Sequence, residues 1–165
     1  MKNILVAVDF SPVSEKALEL ASSMAKSSGA RLWIVHAAES LSMFRPSPLF
    51  VGDPSLYAWS EFAYMNVDLQ NVERKSLADK LRKEHREMLA MAEKVRVEVE
   101  NVRSLLIEGP VVDVLLEAVG KSEADMIVMG SHGHGILHKA LMGSVCEGVL
   151  SKAGIPVLIV PSPRQ

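Results

Sequence analysis

The chain has 165 residues, 48% of them hydrophobic, and a formal net charge of −2. That length suits one domain with a core of its own. Acids and bases are mixed without a basic stripe, which argues against nucleic acid as the main partner, and no apolar run is long enough to span a bilayer. The single cysteine, Cys146, excludes an internal disulfide and suits a reducing compartment. Met1 leads directly into a strand pattern, with no signal peptide ahead of it. The expectation is a cytoplasmic, soluble protein with no membrane partner.

Residues 3–8 are a continuous apolar run, the pattern of a strand buried on both faces. The run ends at Asp9-Phe10-Ser11-Pro12. Ser11 is placed to cap a helix, with Pro12 in its first turn. That helix runs to about Ser27 with Ala17, Leu20, Ala21, Met24 and Ala25 on one face, and Gly29 ends it. Residues 31–37 make a second strand, completing a βαβ unit. From about 40 to 65 the composition changes. Pro46, Pro48 and Pro54 fall here, with six of the eight aromatics (Phe44, Phe50, Tyr57, Trp59, Phe62, Tyr64). Disordered segments lack aromatics, so the stretch reads as an ordered insertion packed on the domain or on a second subunit. From about Val67 to Lys94 the period is helical, with Leu69, Val72, Leu77, Leu81, Met88, Leu89, Ala92 and Val95 on one face and a charged face opposite. His85 lies on or near the apolar stripe and reads as a core-edge histidine. A third strand lies within 99–107. Gly109-Pro110 opens a helix to about Lys121, Ala124 to Met129 is the fourth strand, Val145 to Lys152 is a helix closed by Gly154, and 156–160 is the last strand.

Alternating strands and helices, five strands in all, predict a doubly wound α/β parallel sheet with helices on both faces. Ligands of such sheets bind beyond the carboxyl ends of the strands. There the fourth strand runs into Gly130-Ser131-His132-Gly133 and, nine residues on, Gly143-Ser144. Glycines let backbone N–H groups approach an anion, and a helix N-terminus adds unpaired donors and a positive dipole end. Ser144-x-x-Glu147 reads as a capping box. Asp9, at the tail of the first strand, faces the same crevice if the first and fourth strands are neighbours. It then accepts from ribose hydroxyls or helps hold a phosphate-bound metal; the alternative is that it caps the first helix beside Ser11.

These residues resemble the universal stress protein family, in its ATP-binding branch. The resemblance runs from Ile4-Leu5-Val6-Ala7-Val8-Asp9-Phe10-Ser11 through Val35-His36-Ala37 to the G-x2-G-x9-G-S pattern of Gly130 to Ser144 and the final Pro156 to Val160. It implies strand order 3-2-1-4-5, a Rossmann-like single domain over 1–165, and a homodimer. It also implies bound ATP. Ala7, Val8 and Asp9 would flank base and ribose, and Ala37 would offer backbone to adenine. Met129, Gly130, Ser131, His132 and Gly133 would wrap ribose and phosphates, and Gly143, Ser144 and Val145 would hold the outer phosphates. Family members often carry Arg or Lys after the second glycine; His134 stands there in this chain, so fixed positive charge is reduced.

His132, His134 and His138 share the loop, but no Cys, Asp or Glu within it completes a metal ligand set. Lys139 is the nearest permanent cation. Cys146, one turn into a helix, is either a thiol made reactive by the helix end or a small hydrophobe. No residue supplies a clear general base, and there is no Walker-type lysine. The expected function is a stress-response switch or sensor that binds ATP, with or without Mg2+, and hydrolyses little. The competing readings are a slow ATPase or nucleotidyl-transfer enzyme and a ligand-free dimeric interaction module. The last strand, apolar and expected at a sheet edge, predicts pairing of two copies through 156–160. A protein partner is expected but not identified.

Overall fold

The computed structural model describes residues 1–38, 48–51, 72–133 and 142–162. Along the chain these form β1 (Asn3–Ala7), α1 (Pro12–Ser28), β2 (Arg31–Ala38), β3 (Pro48–Val51), α2 (Val72–Arg96), β4 (Val102–Glu108), α3 (Val111–Ser122), β5 (Met126–Gly130), α4 (Ser144–Lys152) and β6 (Val157–Val160).

The sheet has the order β3-β4-β2-β1-β5-β6. Its five parallel strands, counted without β3, have the expected order 3-2-1-4-5. The sixth strand was not expected. Pro48–Val51 pairs antiparallel with β4, Phe50 opposite Leu105. It lies inside the proline-rich stretch read as an insertion, and proline within a short run demotes a strand signal. Pro48 is tolerated because it is the first residue of an edge strand. β3 covers what would otherwise be the open edge of β4. The rest of the insertion, with its expected packing, lies outside the described residues.

The apolar runs are buried on both faces, as their lack of alternation requires. Ile4, Val6 and Val8 point to one core with Ile34 and Val128, against Ala17, Leu18, Ala21 and Ala25 of α1 and Met88 and Ala92 of α2. Leu5, Val35, Ile127 and Met129 point to the other, against Val114, Leu115 and Ala118 of α3 and Cys146 and Val149 of α4. Among the described residues, two helices thus cover each face of the sheet. α1 starts as expected: Ser11 is the N-cap, its Oγ accepting from the Ser14 N–H at 3.3 Å. Gly29 ends it in the left-handed region at φ 66°.

The start of α4 differs from expectation. Gly143, not Ser144, is the N-cap, and no side chain caps the turn. Ser144 is the first helical residue, so its hydroxyl is one position too far along to form a capping box. Among the described residues, no helix is long and apolar enough to cross a membrane.

Candidate functional site

β1 pairs in parallel with both β2 and β5, Val6 opposite Ile34 and Val128. Their carboxyl ends therefore open side by side, and Asp9 and the loop after β5 meet as expected. The contact is close. A Cβ on Gly133 would lie 2.3 Å from Asp9 Oδ2, and one on Gly130 would lie 2.8 Å from Val13 Cγ1 at the start of α1. Only glycine lets the loop backbone approach the carboxylate and the helix this closely.

Asp9 takes up the capping role considered for it. Its Oδ1 accepts from the Ser11 N–H at 3.1 Å and from Ser11 Oγ at 2.5 Å, so it braces the cap of α1. Oδ2 is the oxygen directed at Gly133. The Asp9 N–H donates to Ser14 Oγ at 3.3 Å.

The loop after β5 is pinned from several sides. The Ser131 N–H donates to the Val160 carbonyl at 2.8 Å, and Ser131 O accepts from the Gly143 N–H at 2.9 Å. Ser131 Oγ accepts from the Ser162 N–H at 3.1 Å and lies 3.1 Å from His132 Nδ1. The buried Ser131 thus fastens the loop to the end of β6 and to the start of α4. The Gly143 N–H is engaged by Ser131 too. Gly133 and Ser144 are exposed, while Gly130, His132, Gly143 and Val145 are half-buried. Met129 is 4% exposed and packs in the core between α3 and α4. His134, His138 and Lys139 lie outside the described residues. Among the described residues no group of three or more His, Cys, Asp or Glu is placed to hold a metal.

Cys146 resolves as a small hydrophobe. It is 2% exposed, and its thiol donates toward the Gly130 and Ser131 carbonyls at 3.0 and 3.4 Å. Burial, and then the neighbouring Glu147 charge, push the thiol above its usual range, more than the Gly143 amide lowers it.

Ala37 sits past the end of β1, whose last paired residue, Ala7, lies opposite Val35. The Val35 carbonyl accepts from the Val8 N–H, so Val35 directs its backbone toward β1. Two residues on, Ala37 has the same direction, now beyond the neighbouring strand. The Ala38 carbonyl accepts from the Gly109 N–H on the opposite side, as alternation requires.

Sequence reasoning missed three features of this rim. Phe10 has φ 61°, in the left-handed region that non-glycine residues rarely adopt. Its ring contacts His36, centroid to centroid 4.5 Å. Glu108 ends β4 opposite Ala38, and burial holds its carboxyl above the usual range. His36 entered the sequence reading only as part of Val35-His36-Ala37. His85, by contrast, is the half-buried residue expected, and burial, then Arg86, lowers its pKa.

Comparison with known proteins agrees with this frame. The model of the universal stress protein family matches residues 1–161. A universal stress protein of Thermus aquaticus is 31% identical, the alignment covering 96% of this chain and 98% of that one. The solved universal stress protein of Lactobacillus plantarum shares the fold, with a TM-score of 0.73 at 20% identity over 96% of this chain and 97% of that one. Two further structures share it more distantly. A universal stress protein in complex with cAMP has a TM-score of 0.61 at 22% identity, covering 96% of each chain. One from Archaeoglobus fulgidus in complex with dAMP has 0.57 at 19%, covering 97% of this chain and 98% of that one. Carrying the family's pattern from its first strand to its last, this chain belongs to the universal stress protein family.

Proposed function

We propose that the chain is an adenine-nucleotide-binding stress-response protein of the family's ATP-binding branch, a regulatory switch or sensor that hydrolyses little. The observation that carries this reading is the close approach of Gly133 to the Asp9 carboxylate, which puts an acceptor for ribose hydroxyls against a glycine backbone built for phosphates. Ala37, with backbone directed past the end of β1, suits the edge of adenine. Ala7, Val8 and Asp9 flank base and ribose, Met129 to Gly133 line ribose and phosphates, and Ser144 and Val145 at the uncapped start of α4 hold the outer phosphates, Gly143 shaping that turn. The nucleotides bound by two structural neighbours, cAMP and dAMP, support adenine as the base. Asp9 beside polyanionic phosphates favours a counter-ion, and Mg2+ held between the carboxylate and the phosphates would supply it.

Residues 1–165 act as one nucleotide-binding domain, with the aromatic-rich segment at about 40–65 as an insertion. β6 is the edge strand beyond β5, and all four of its apolar residues are only partly buried. It suits pairing with a second copy across a two-fold axis. Light scattering at micromolar concentration should report a dimer; a monomer overturns that pairing.

The nucleotide reading is tested by denaturing the purified protein and identifying what it releases by mass spectrometry. An adenine nucleotide is expected. Release of none, together with no saturable uptake of added ATP, favours the ligand-free module. Single-turnover hydrolysis far above the uncatalysed rate, abolished by Asp9→Ala, would instead make the protein an ATPase.

A further inference from the structure

His36 of β2 and Glu84 of α2 form a buried pair behind the crevice. Their side chains are 8% and 12% exposed, with Nε2 and Oε2 3.6 Å apart. Among the described residues, neither atom has a hydrogen-bond partner. The other ring nitrogen, Nδ1, lies 2.8 Å from the Val8 carbonyl. A carbonyl only accepts, so Nδ1 must carry a proton and donate. In a neutral ring Nε2 would then be a bare lone pair facing a carboxylate oxygen, two acceptors turned on each other where water does not screen them.

We propose that His36 and Glu84 share a second proton between Nε2 and Oε2, and that this pair is a positioning device for the nucleotide crevice. The proton turns two opposed acceptors into an attractive ion-pair contact at 3.6 Å. Lys80, whose Nζ is 4.0 Å from Glu84 Oε1, helps hold the carboxylate from its solvent side.

The route from the pair to the site is short. His36 fixes the Val8 carbonyl directly. Its ring supports that of Phe10, the residue held at positive φ, and a protonated ring is attracted to an aromatic face. Asp9 lies between Val8 and Phe10. Its carboxylate is therefore aimed at Gly133 by contacts on both sides, and α2 is tied through Glu84 to the strand end that bears the site. A strained backbone persists only where its surroundings over-determine it, and His36 is one of those surroundings.

This role rests on the proposed nucleotide reading, so two independent readouts are needed. Nitrogen-15 spectra of the histidine rings, with the carboxyl carbon shift of Glu84, report the proton without any ligand. At neutral pH the wild-type pair should show its extra proton. Glu84→Gln, whose amide N–H can donate to a neutral ring, should show a singly protonated His36. Titration with Mg2+ and ATP reports positioning. Glu84→Ala should weaken affinity by about tenfold, and Glu84→Gln should stay within about twofold of wild type, because only the alanine leaves Nε2 unmatched. A neutral wild-type ring beside an ionised Glu84 overturns the shared proton. Unchanged affinity in a folded Glu84→Ala variant overturns the positioning role. Wild-type protein that takes up no nucleotide overturns the functional reading instead, while the ring spectra still decide the proton.

Discussion

Asp9 and Asp125 stand at opposite ends of the same pair of parallel strands, β1 and β5, and the chain uses them differently. At the amino end, Asp125 Oδ2 accepts from the Lys2 and Asn3 N–H groups, at 2.5 and 2.9 Å. The Asp125 N–H donates to the Asn3 carbonyl at 2.9 Å, and Asn3 Nδ2 donates to the Glu123 carbonyl at 3.1 Å. That carboxylate is consumed in stitching two strand starts together. At the carboxyl end, Asp9 gives one oxygen to the Ser11 cap and turns the other across the crevice toward Gly133. The residue type is the same, but one end closes the sheet on itself and the other presents glycine backbone beside a carboxylate. In a parallel sheet all carboxyl ends open on one side, so the ligand-binding chemistry collects there.

Substitutions at the two ends should separate binding from stability. The largest effect is expected at Gly133. Gly133→Val places a branched side chain where even a Cβ would lie 2.3 Å from Asp9 Oδ2, and ATP affinity should fall by about a hundredfold, ~3 kcal/mol. Calorimetric titration checks it, and near-wild-type affinity contradicts the crevice. Asp9→Asn keeps the shape and removes the charge, and should weaken ATP by about tenfold in the same titration, with a small loss of stability because the asparagine oxygen still braces Ser11.

Asp125→Asn should do the converse, leaving ATP affinity unchanged while lowering the melting temperature at neutral pH. The Asn3 N–H, then the Lys2 N–H, hold this carboxyl below its ordinary value of 3.8. A depressed folded-state pKa gives stability that is present above the unfolded value and lost as pH falls through the folded one. Melting curves of wild type and variant should therefore differ at neutral pH and converge in acid. Equal curves at neutral pH would show that the clamp contributes nothing. The site is exposed, so salt should shrink the difference.

The smallest effect is expected at Cys146. Its buried, raised thiol should react with iodoacetamide at least ~100-fold more slowly in the native protein than in denaturant. Fast native labelling would restore the reactive-thiol reading.

The parallel core was legible because strands buried on both faces show as continuous apolar runs. Asp9, Gly130 and Gly133 were legible because spacing and strand order bring them together. β3 was hidden by Pro48, whose edge position only the fold reveals. The N-cap of α4 was misplaced by one residue because Ser144 suits a cap by type, whereas the Gly143 backbone, bonded to Ser131, sets the turn. His36 and Glu84 lie 48 residues apart in sequence and pair only when α2 packs on the sheet. Phe10 looked like one more apolar residue, since a positive φ leaves no mark on residue type.

The most direct test of nucleotide binding at the carboxyl end is a backbone amide titration with Mg2+ and ATP, followed by NMR. Saturable shifts are predicted at Asp9, Ala37, Gly130 to Gly133 and Ser144 to Val145, with Lys2, Asn3 and Asp125 unmoved. Shifts centred on the amino end, or none that saturate, would contradict the account.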